Sequence, residues 1–172
     1  MSQQPIELLR RARIVAILRM DDLTFAEPIV NALLSGGIRL IEFTMTNSKA
    51  STAVAELRKR LESFEKGEAA IGLGSVRTKE EAKSAIDSGA QFVVCAITDP
   101  LVIAYCKACK IPVMPGAMTP TEMHHAWSLG AEVIKLFPAT NLGPAYLKDV
   151  LAPMPYLPVM PTGGITLNNM QS

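Results

Sequence analysis

Residues 40–46 read LIEFTMT, a stretch of strand length in which apolar and polar residues alternate. Successive side chains of a β-strand point to opposite faces, so Glu42, Thr44 and Thr46 share one face and the apolar residues between them share the other. A second stretch, residues 133–137, reads VIKLF and places Lys135 among four apolar neighbours. Both stretches predict strands that carry polar groups in an otherwise apolar setting.

Strand-length apolar runs recur along the whole chain, and they begin about every 24 residues. The segments between them carry helix signals. Three segments open with the Thr and Glu spacing of a capping box, at residues 24–27, 78–81 and 119–122, and three end in glycine before the next run. Repeated strand–helix units predict a parallel sheet. The seven runs are 14–18, 40–44, 70–74, 92–96, 112–116, 133–137 and 158–162.

Two architectures contain such repeats. The central strands of an open, doubly wound sheet are buried on both faces and read as continuous apolar runs. The polar face of residues 40–46 and the position of Lys135 instead suit strands that line a barrel. We therefore predict an α/β fold of the (β/α)8 TIM-barrel class. Only seven strands are counted, and an eighth would begin at about residue 180. We thus expect one barrel domain over residues 1–172 that lacks its last strand through C-terminal truncation.

The composition excludes several classes of partner. Hydrophobic residues make up 49% of the 172 residues, charged residues 19%, and the net charge is +1. This balance predicts neither a nucleic acid nor a membrane surface as partner. No apolar run approaches the roughly 18 residues that span a bilayer, and residues 1–13 lack the apolar core of a signal peptide. The three cysteines are an odd number, which favours the reducing cytoplasm over a disulfide framework.

Lys135 and Glu42 are the candidate catalytic pair. A lysine buried among apolar residues loses the hydration of its ammonium group, which favours the neutral amine. A neutral amine attacks a ketone and forms a Schiff base. If Glu42 faces the same barrel interior, its carboxylate supplies the proton transfers that an iminium mechanism requires. The alternatives are a structural ion pair between these two residues and a Lys135 that extends to water.

Glycine-rich turns follow two of the runs. Thr162, Gly163 and Gly164 come directly after the last run, where TIM barrels commonly bind phosphate. Paired glycines let backbone N–H groups approach an anion, and a tight turn is the alternative explanation. Residues 72–75 read GLGS, which lacks the third glycine of a dinucleotide fingerprint.

Taken in order, these motifs resemble the 2-keto-3-deoxy-6-phosphogluconate (KDPG) and 4-hydroxy-2-oxoglutarate (KHG) aldolase family. The resemblance extends over nearly the whole chain. It implies a class I pyruvate aldolase that uses no metal and no cofactor, and a homotrimer of TIM barrels. The matching segments are 15–19, 36–37, 41–44, 72–76, 114–116, 119–122, 135–139 and 161–165.

The resemblance also implies a role for individual residues. Lys135 corresponds to the Schiff-base lysine and Glu42 to the general acid/base. Many members carry an arginine at the position of Thr46 to bind the substrate carboxylate, and Arg19 at the end of the first strand is the alternative source of that charge. The substrate-binding residues implied are Arg19, Thr46, Ser75 (near the pyruvate carboxylate), Phe137 (against the substrate), and Thr162, Gly163 and Gly164 (substrate and phosphate).

The predicted reaction is cleavage of KDPG, a sugar acid of the Entner–Doudoroff pathway, or of KHG, to pyruvate and an aldehyde. Decarboxylation of oxaloacetate is the predicted side activity, because the same iminium accepts the electron pair. One alternative is a non-catalytic relative that binds a phosphorylated or keto acid as a sensor or scaffold. Another is a different phosphate-binding barrel lyase or isomerase.

Overall fold

The computed structural model describes residues 3–170, so the predicted domain bounds at residues 1 and 172 lie outside the described residues. Strands and helices alternate along this part of the chain. No helix within residues 3–170 is long and apolar enough to cross a membrane. The helices are α1 (Gln4–Ala12), α2 (Ala26–Ser35), α3 (Ala50–Arg60), α4 (Glu62–Glu65), α5 (Lys79–Asp87), α6 (Pro100–Ala108), α7 (Pro120–Ser128) and α8 (Gly143–Leu151). The strands are β1 (Ala16–Leu18), β2 (Leu40–Thr44), β3 (Ala70–Val76), β4 (Val93–Cys95), β5 (Val113–Met114), β6 (Gly116–Ala117), β7 (Ile134–Leu136) and β8 (Val159–Pro161).

The strands form two parallel sheets, and within each sheet the strands pair in sequence order: β1-β2-β3-β4-β5 in one and β6-β7-β8 in the other. The fifth predicted run, 112–116, is wrong as a single strand, because Pro115 divides it into β5 and β6. Proline has no backbone N–H and cannot continue the ladder. The Pro115 carbonyl still accepts a hydrogen bond from the Lys135 N–H at 2.8 Å, which keeps β7 in register with β6.

The strands bury side chains on both faces, as a barrel requires. Ile41 and Phe43 of β2 pack into a cluster that includes Val54 of α3 on the outer face. Leu40 belongs to a second cluster with Phe92, inside the barrel. Ile6 and Leu9 of α1 join the inner cluster and close the amino-terminal end. A third cluster packs α7 and α8 on β7. The alternation of residues 40–44 therefore separates an inner face from an outer one.

The predicted helix signals have three outcomes. Thr119 and Glu122 form a full capping box at α7. At α5 half of the predicted box is present: Thr78 accepts a hydrogen bond from the Glu81 N–H, while the Glu81 carboxylate accepts from the Arg77 N–H at 2.6 Å rather than from Thr78. The capping box predicted at residues 24–27 is wrong, because α2 begins at Ala26 without a side-chain cap. The Oδ1 of Asp22 accepts from both the N–H and the hydroxyl of Thr24, which holds Thr24 in a local turn instead.

The predicted glycine ends are confirmed at three helices. Gly37, Gly89 and Gly130 have φ angles of 91°, 87° and 91°, in the left-handed region. Such C-caps turn the chain sharply from each helix into the next segment.

Candidate active site

Glu42 is a buried carboxylate without a hydrogen-bonding partner. It lies on the inner face of β2, in register with Ile17 of β1 and Gly72 of β3, and it is 0% exposed. Neither of its side-chain oxygens accepts a hydrogen bond from another described residue. Burial raises the pKa of Glu42 above its usual value of 4.5, and the charges of Lys135 and Arg19 partly oppose that shift. A raised pKa suits a group that both takes and gives protons near neutral pH.

Gly74 provides the space that the Glu42 carboxylate occupies. A Cβ atom at Gly74 would lie 1.8 Å from Oε1 and 2.4 Å from Cδ of Glu42. Gly74 is in register with Thr44, so the Glu42 side chain leans toward the carboxyl end of the sheet. In the sequence, Gly74 is part of an incomplete dinucleotide fingerprint and of one segment of the family resemblance, and no local signal identifies its contact with Glu42.

Gly74→Ala should therefore reduce kcat by roughly 100-fold, because the added methyl group displaces a proton-transfer group. Overpacking at this site should also lower the stability by about 1–3 kcal/mol. Steady-state kinetics and thermal unfolding measure the two effects. Gly36→Ala is the matched control, since Gly36 has an ordinary φ of −76° and its Cβ would meet its nearest neighbour at 3.4 Å. A Gly74→Ala enzyme with unchanged kcat would show that the carboxylate has room to move.

Lys135 lies in the same interior, on β7. It is in register with Gly116 of β6 and Met160 of β8, and it is only 6% exposed. Its Nζ lies 5.1 Å from the centroid of the Phe137 ring, within the range of a cation–π contact. The low exposure argues against the alternative in which Lys135 extends to water.

The amine of Lys135 and the carboxylate of Glu42 share one electrostatic environment without forming an ion pair. The charge of Lys135 acts on the Glu42 pKa, yet among the described residues neither side chain forms a salt bridge or a hydrogen bond. The alternative of a structural ion pair is thus not supported. The Glu42 carboxylate is therefore not occupied by a hydrogen bond with another described residue, and the Lys135 amine contacts the Phe137 ring.

Arg19 and Thr46 lie at the carboxyl end of the barrel, and both are exposed. Arg19 follows β1, and its charge acts on Glu42 from that side. The Thr46 hydroxyl lies 2.8 Å from the hydroxyl of Thr44, which is 2% exposed. A cationic side chain at this end of the barrel therefore lies close enough to act on the Glu42 carboxylate.

Ser75 has an unusual backbone conformation at the end of β3. Its φ angle is 64°, in the left-handed region that rarely suits residues other than glycine and asparagine. The pairing of β3 with β4 shifts register between Leu73 and Val76, around this residue. Such a conformation costs on the order of 1 kcal/mol and is typical of functional sites. The sequence predicted Ser75 as a site residue only through the family resemblance.

The loop after β8 is built against the loop after β7. The Thr162 N–H donates to the Leu136 carbonyl at 2.9 Å, and the Thr162 carbonyl accepts from the Ala139 N–H at 2.9 Å. Gly163 and Gly164 have φ angles of 100° and 73°, and a Cβ at Gly164 would lie 3.0 Å from Cα of Thr140. The tight turn that the sequence offered as an alternative is therefore present, and it lies next to the Lys135 strand.

A recess opens beside Phe137 at the same end of the barrel. Its volume is about 240 Å³, and it is bounded by segments that follow β4, β6 and β7. The side chains that line it include Ile97, Thr98, Met118 and His125. Most of the predicted substrate-binding residues follow strands at this end of the barrel, and Ser75 lies near the end of β3. Glu42 and Lys135 lie in the middle of β2 and β7, inside the barrel.

Several known proteins are similar to this chain in sequence and in fold. Residues 6–172 match the family model described as KDPG and KHG aldolase. A 2-dehydro-3-deoxy-phosphogluconate aldolase of Treponema pallidum is 38% identical over 166 residues, which are 95% of this chain and 76% of that protein.

Two solved structures extend the comparison to the fold. The KDPG aldolase of Legionella pneumophila, with pyruvate captured at low pH as a covalent carbinolamine intermediate, is 26% identical with a TM-score of 0.87, over 97% of this chain and 79% of that one. The 2-keto-3-deoxy-6-phosphogluconate aldolase of Zymomonas mobilis ZM4, with 3-phosphoglycerate, is 27% identical with a TM-score of 0.85. The match covers 96% of this chain and 77% of that one. The predicted α/β barrel class is confirmed.

Proposed function

The chain belongs to the KDPG and KHG aldolase family, and from that premise we propose that Lys135 forms the Schiff base and Glu42 moves the protons of the reaction. The enzyme is a class I aldolase, a lyase. One observation carries the assignment of residues: a buried amine and a buried carboxylate occupy one interior, and neither has a hydrogen-bonding partner among residues 3–170.

The proposed reaction begins with carbon–nitrogen bond formation. In its deprotonated form, the amine of Lys135 adds to the ketone of a 2-keto-3-deoxy acid and gives a carbinolamine, which loses water to form an iminium. Glu42, in its protonated form, donates the proton with which the hydroxyl leaves as water. Because burial raises the pKa of Glu42, the protonated form persists to a higher pH than in a solvent-exposed glutamate.

Cleavage of the C3–C4 bond follows. The Glu42 carboxylate takes the proton of the C4 hydroxyl, the C4 oxygen forms a carbonyl, and the bonding electrons pass into the iminium to give an enamine. The aldehyde leaves. Protonation of the enamine at C3 and addition of one water then release pyruvate and restore the amine, so the water lost earlier is regained.

Residues at the barrel opening are proposed to hold the substrate. Arg19 supplies the charge for the pyruvate carboxylate, because Thr46, at the position of an arginine in many relatives, is uncharged. Ser75 and Thr46 offer hydroxyl groups, and Phe137 covers one side of the iminium. The phosphate of a phosphorylated substrate is proposed to bind at the loop after β8, formed by Thr162, Gly163 and Gly164. The relative from Zymomonas mobilis holds a phosphorylated acid, 3-phosphoglycerate.

Four further features remain proposals. The substrate is KDPG or KHG, and oxaloacetate is a second substrate for decarboxylation through the same iminium. The family resemblance supports a homotrimer, and the odd number of cysteines supports a cytoplasmic location.

Borohydride reduction in the presence of pyruvate tests the proposal. The iminium is reduced to a stable secondary amine, so peptide mass mapping should find one pyruvate adduct, on Lys135. Samples without pyruvate or without borohydride are the controls. Ligand-dependent stabilisation with no adduct and no turnover would favour the non-catalytic sensor, and an adduct on another lysine would reassign the nucleophile.

A further inference from the structure

One side chain ties the loop that carries Arg19 to the rest of the described fold. The loop follows β1, which pairs with β2. Residues 19–25 connect β1 to α2, and within residues 3–170 the hydrogen bonds that tie this loop to another part of the fold come from one side chain, that of Asn47. The remaining bonds, such as Asp22 to Thr24, are local.

The amide of Asn47 bridges two loops. Its Nδ2 donates to the Met20 carbonyl at 3.0 Å and to the Asp21 carbonyl at 2.9 Å. Its Oδ1 accepts from the Lys49 N–H at 2.8 Å, at the start of α3. The two carbonyls only accept hydrogen bonds, and the Lys49 N–H only donates, so these partners fix the orientation of the amide. Asn47 satisfies both loops at once, and a carboxylate in its place cannot.

We propose that Asn47 is a positioning residue that holds the β1–α2 loop so that Arg19 is pre-organised for the substrate carboxylate. The inference rests on the proposed role of Arg19. The two carbonyls that accept hydrogen bonds from Asn47 belong to Met20 and Asp21, directly after Arg19. These bonds fix the backbone from which the Arg19 guanidinium extends. Bidentate binding of a carboxylate depends on the orientation of the guanidinium plane. Without the bridge, binding also has to order the loop, which weakens affinity without altering the chemistry at Lys135.

A double-mutant cycle tests this coupling. We expect Asn47→Ala to raise KM by roughly tenfold with kcat changed by less than about twofold. Arg19→Gln should raise KM at least as much. The double variant should match Arg19→Gln alone, because Asn47 acts through Arg19. Asn47→Asp should resemble Asn47→Ala, since an aspartate has the same shape and donates to neither carbonyl. Asn31→Ala, an exposed change on α2, is the control and should leave both constants unchanged.

The outcomes separate the inference from the proposed function. If Asn47→Ala raises KM by the same factor with and without Arg19, or lowers kcat alone, Asn47 does not act through Arg19 and the inference is wrong. If Arg19→Gln leaves KM unchanged, the inference is wrong as well. Borohydride trapping on Lys135 in that same variant would then show that the aldolase mechanism stands. Asn47→Ser, which is too short to reach both carbonyls, replaces Asn47→Ala if the alanine variant does not fold.

Discussion

Lys135→Ala should reduce kcat for aldol cleavage on the order of 10⁴-fold or more, because it removes Nζ, the only atom proposed to form a covalent bond with the substrate. The covalent intermediate is lost altogether, so the residual rate reflects binding and proton transfer alone. Borohydride with pyruvate should then leave no adduct on the variant. Steady-state assays and mass mapping measure both effects on the same preparation.

The control for this experiment is Lys148→Ala, which removes an exposed lysine of α8 and should leave the rate unchanged. The Lys135 variant also loses the contact of its side chain with Phe137, so thermal unfolding must show that it is folded. Lys135→Arg provides a second test, since it keeps a positive charge above the Phe137 ring and lacks a nucleophilic amine. A near-normal rate in either folded variant would contradict the role of Lys135.

Glu42→Gln should lower kcat by about 10²- to 10⁴-fold, the usual contribution of a general acid–base group. The amide has nearly the shape of the carboxylate and still fits over Gly74, but it neither takes nor gives a proton near neutral pH. Pyruvate should still be trapped on Lys135, more slowly, because the amine is intact. Glu80→Gln, on the exposed side of α5, is the matched control. A normal kcat in Glu42→Gln would reassign proton transfer to another group.

Glu42→Gln should lower kcat but raise the stability of the folded chain, and the gain in stability should depend on pH. Burial raises the pKa of Glu42, so the folded chain keeps this proton to a higher pH than the unfolded chain. The parent enzyme therefore loses stability as pH rises from the unfolded value of about 4.3 through the folded value, and the loss then levels off. The Tm of Glu42→Gln, relative to the parent, should rise over the same pH range. A difference in Tm that does not change with pH would mean that the charge of Glu42 carries no cost in the fold.

Local sequence patterns were sufficient to predict much of the fold. The alternation in residues 40–46 assigned Glu42 and Phe43 to opposite faces, because the side chains of a strand alternate with a period of two residues. In the structure Phe43 packs in the outer cluster and Glu42 lies on the inner face. The capping box at Thr119 was also predictable, since both partners lie within one helical turn. Where two local interactions compete, the pattern failed: Thr24 bonds with Asp22 rather than capping α2.

The order of strands and helices was predictable from the sequence, as were the alternating faces of residues 40–46 and a glutamate and a lysine within apolar strands. Only the tertiary structure decided that Glu42 leans over Gly74, that Ser75 takes a left-handed conformation, and that Asn47 bridges to the loop after Arg19. The physical reason is the range of the interactions. Periodicity and capping act within a few residues. The space that Gly74 leaves for Glu42, and the carbonyls that accept hydrogen bonds from Asn47, belong to segments about 30 residues away in the chain. These segments come together only when the parallel strands pair.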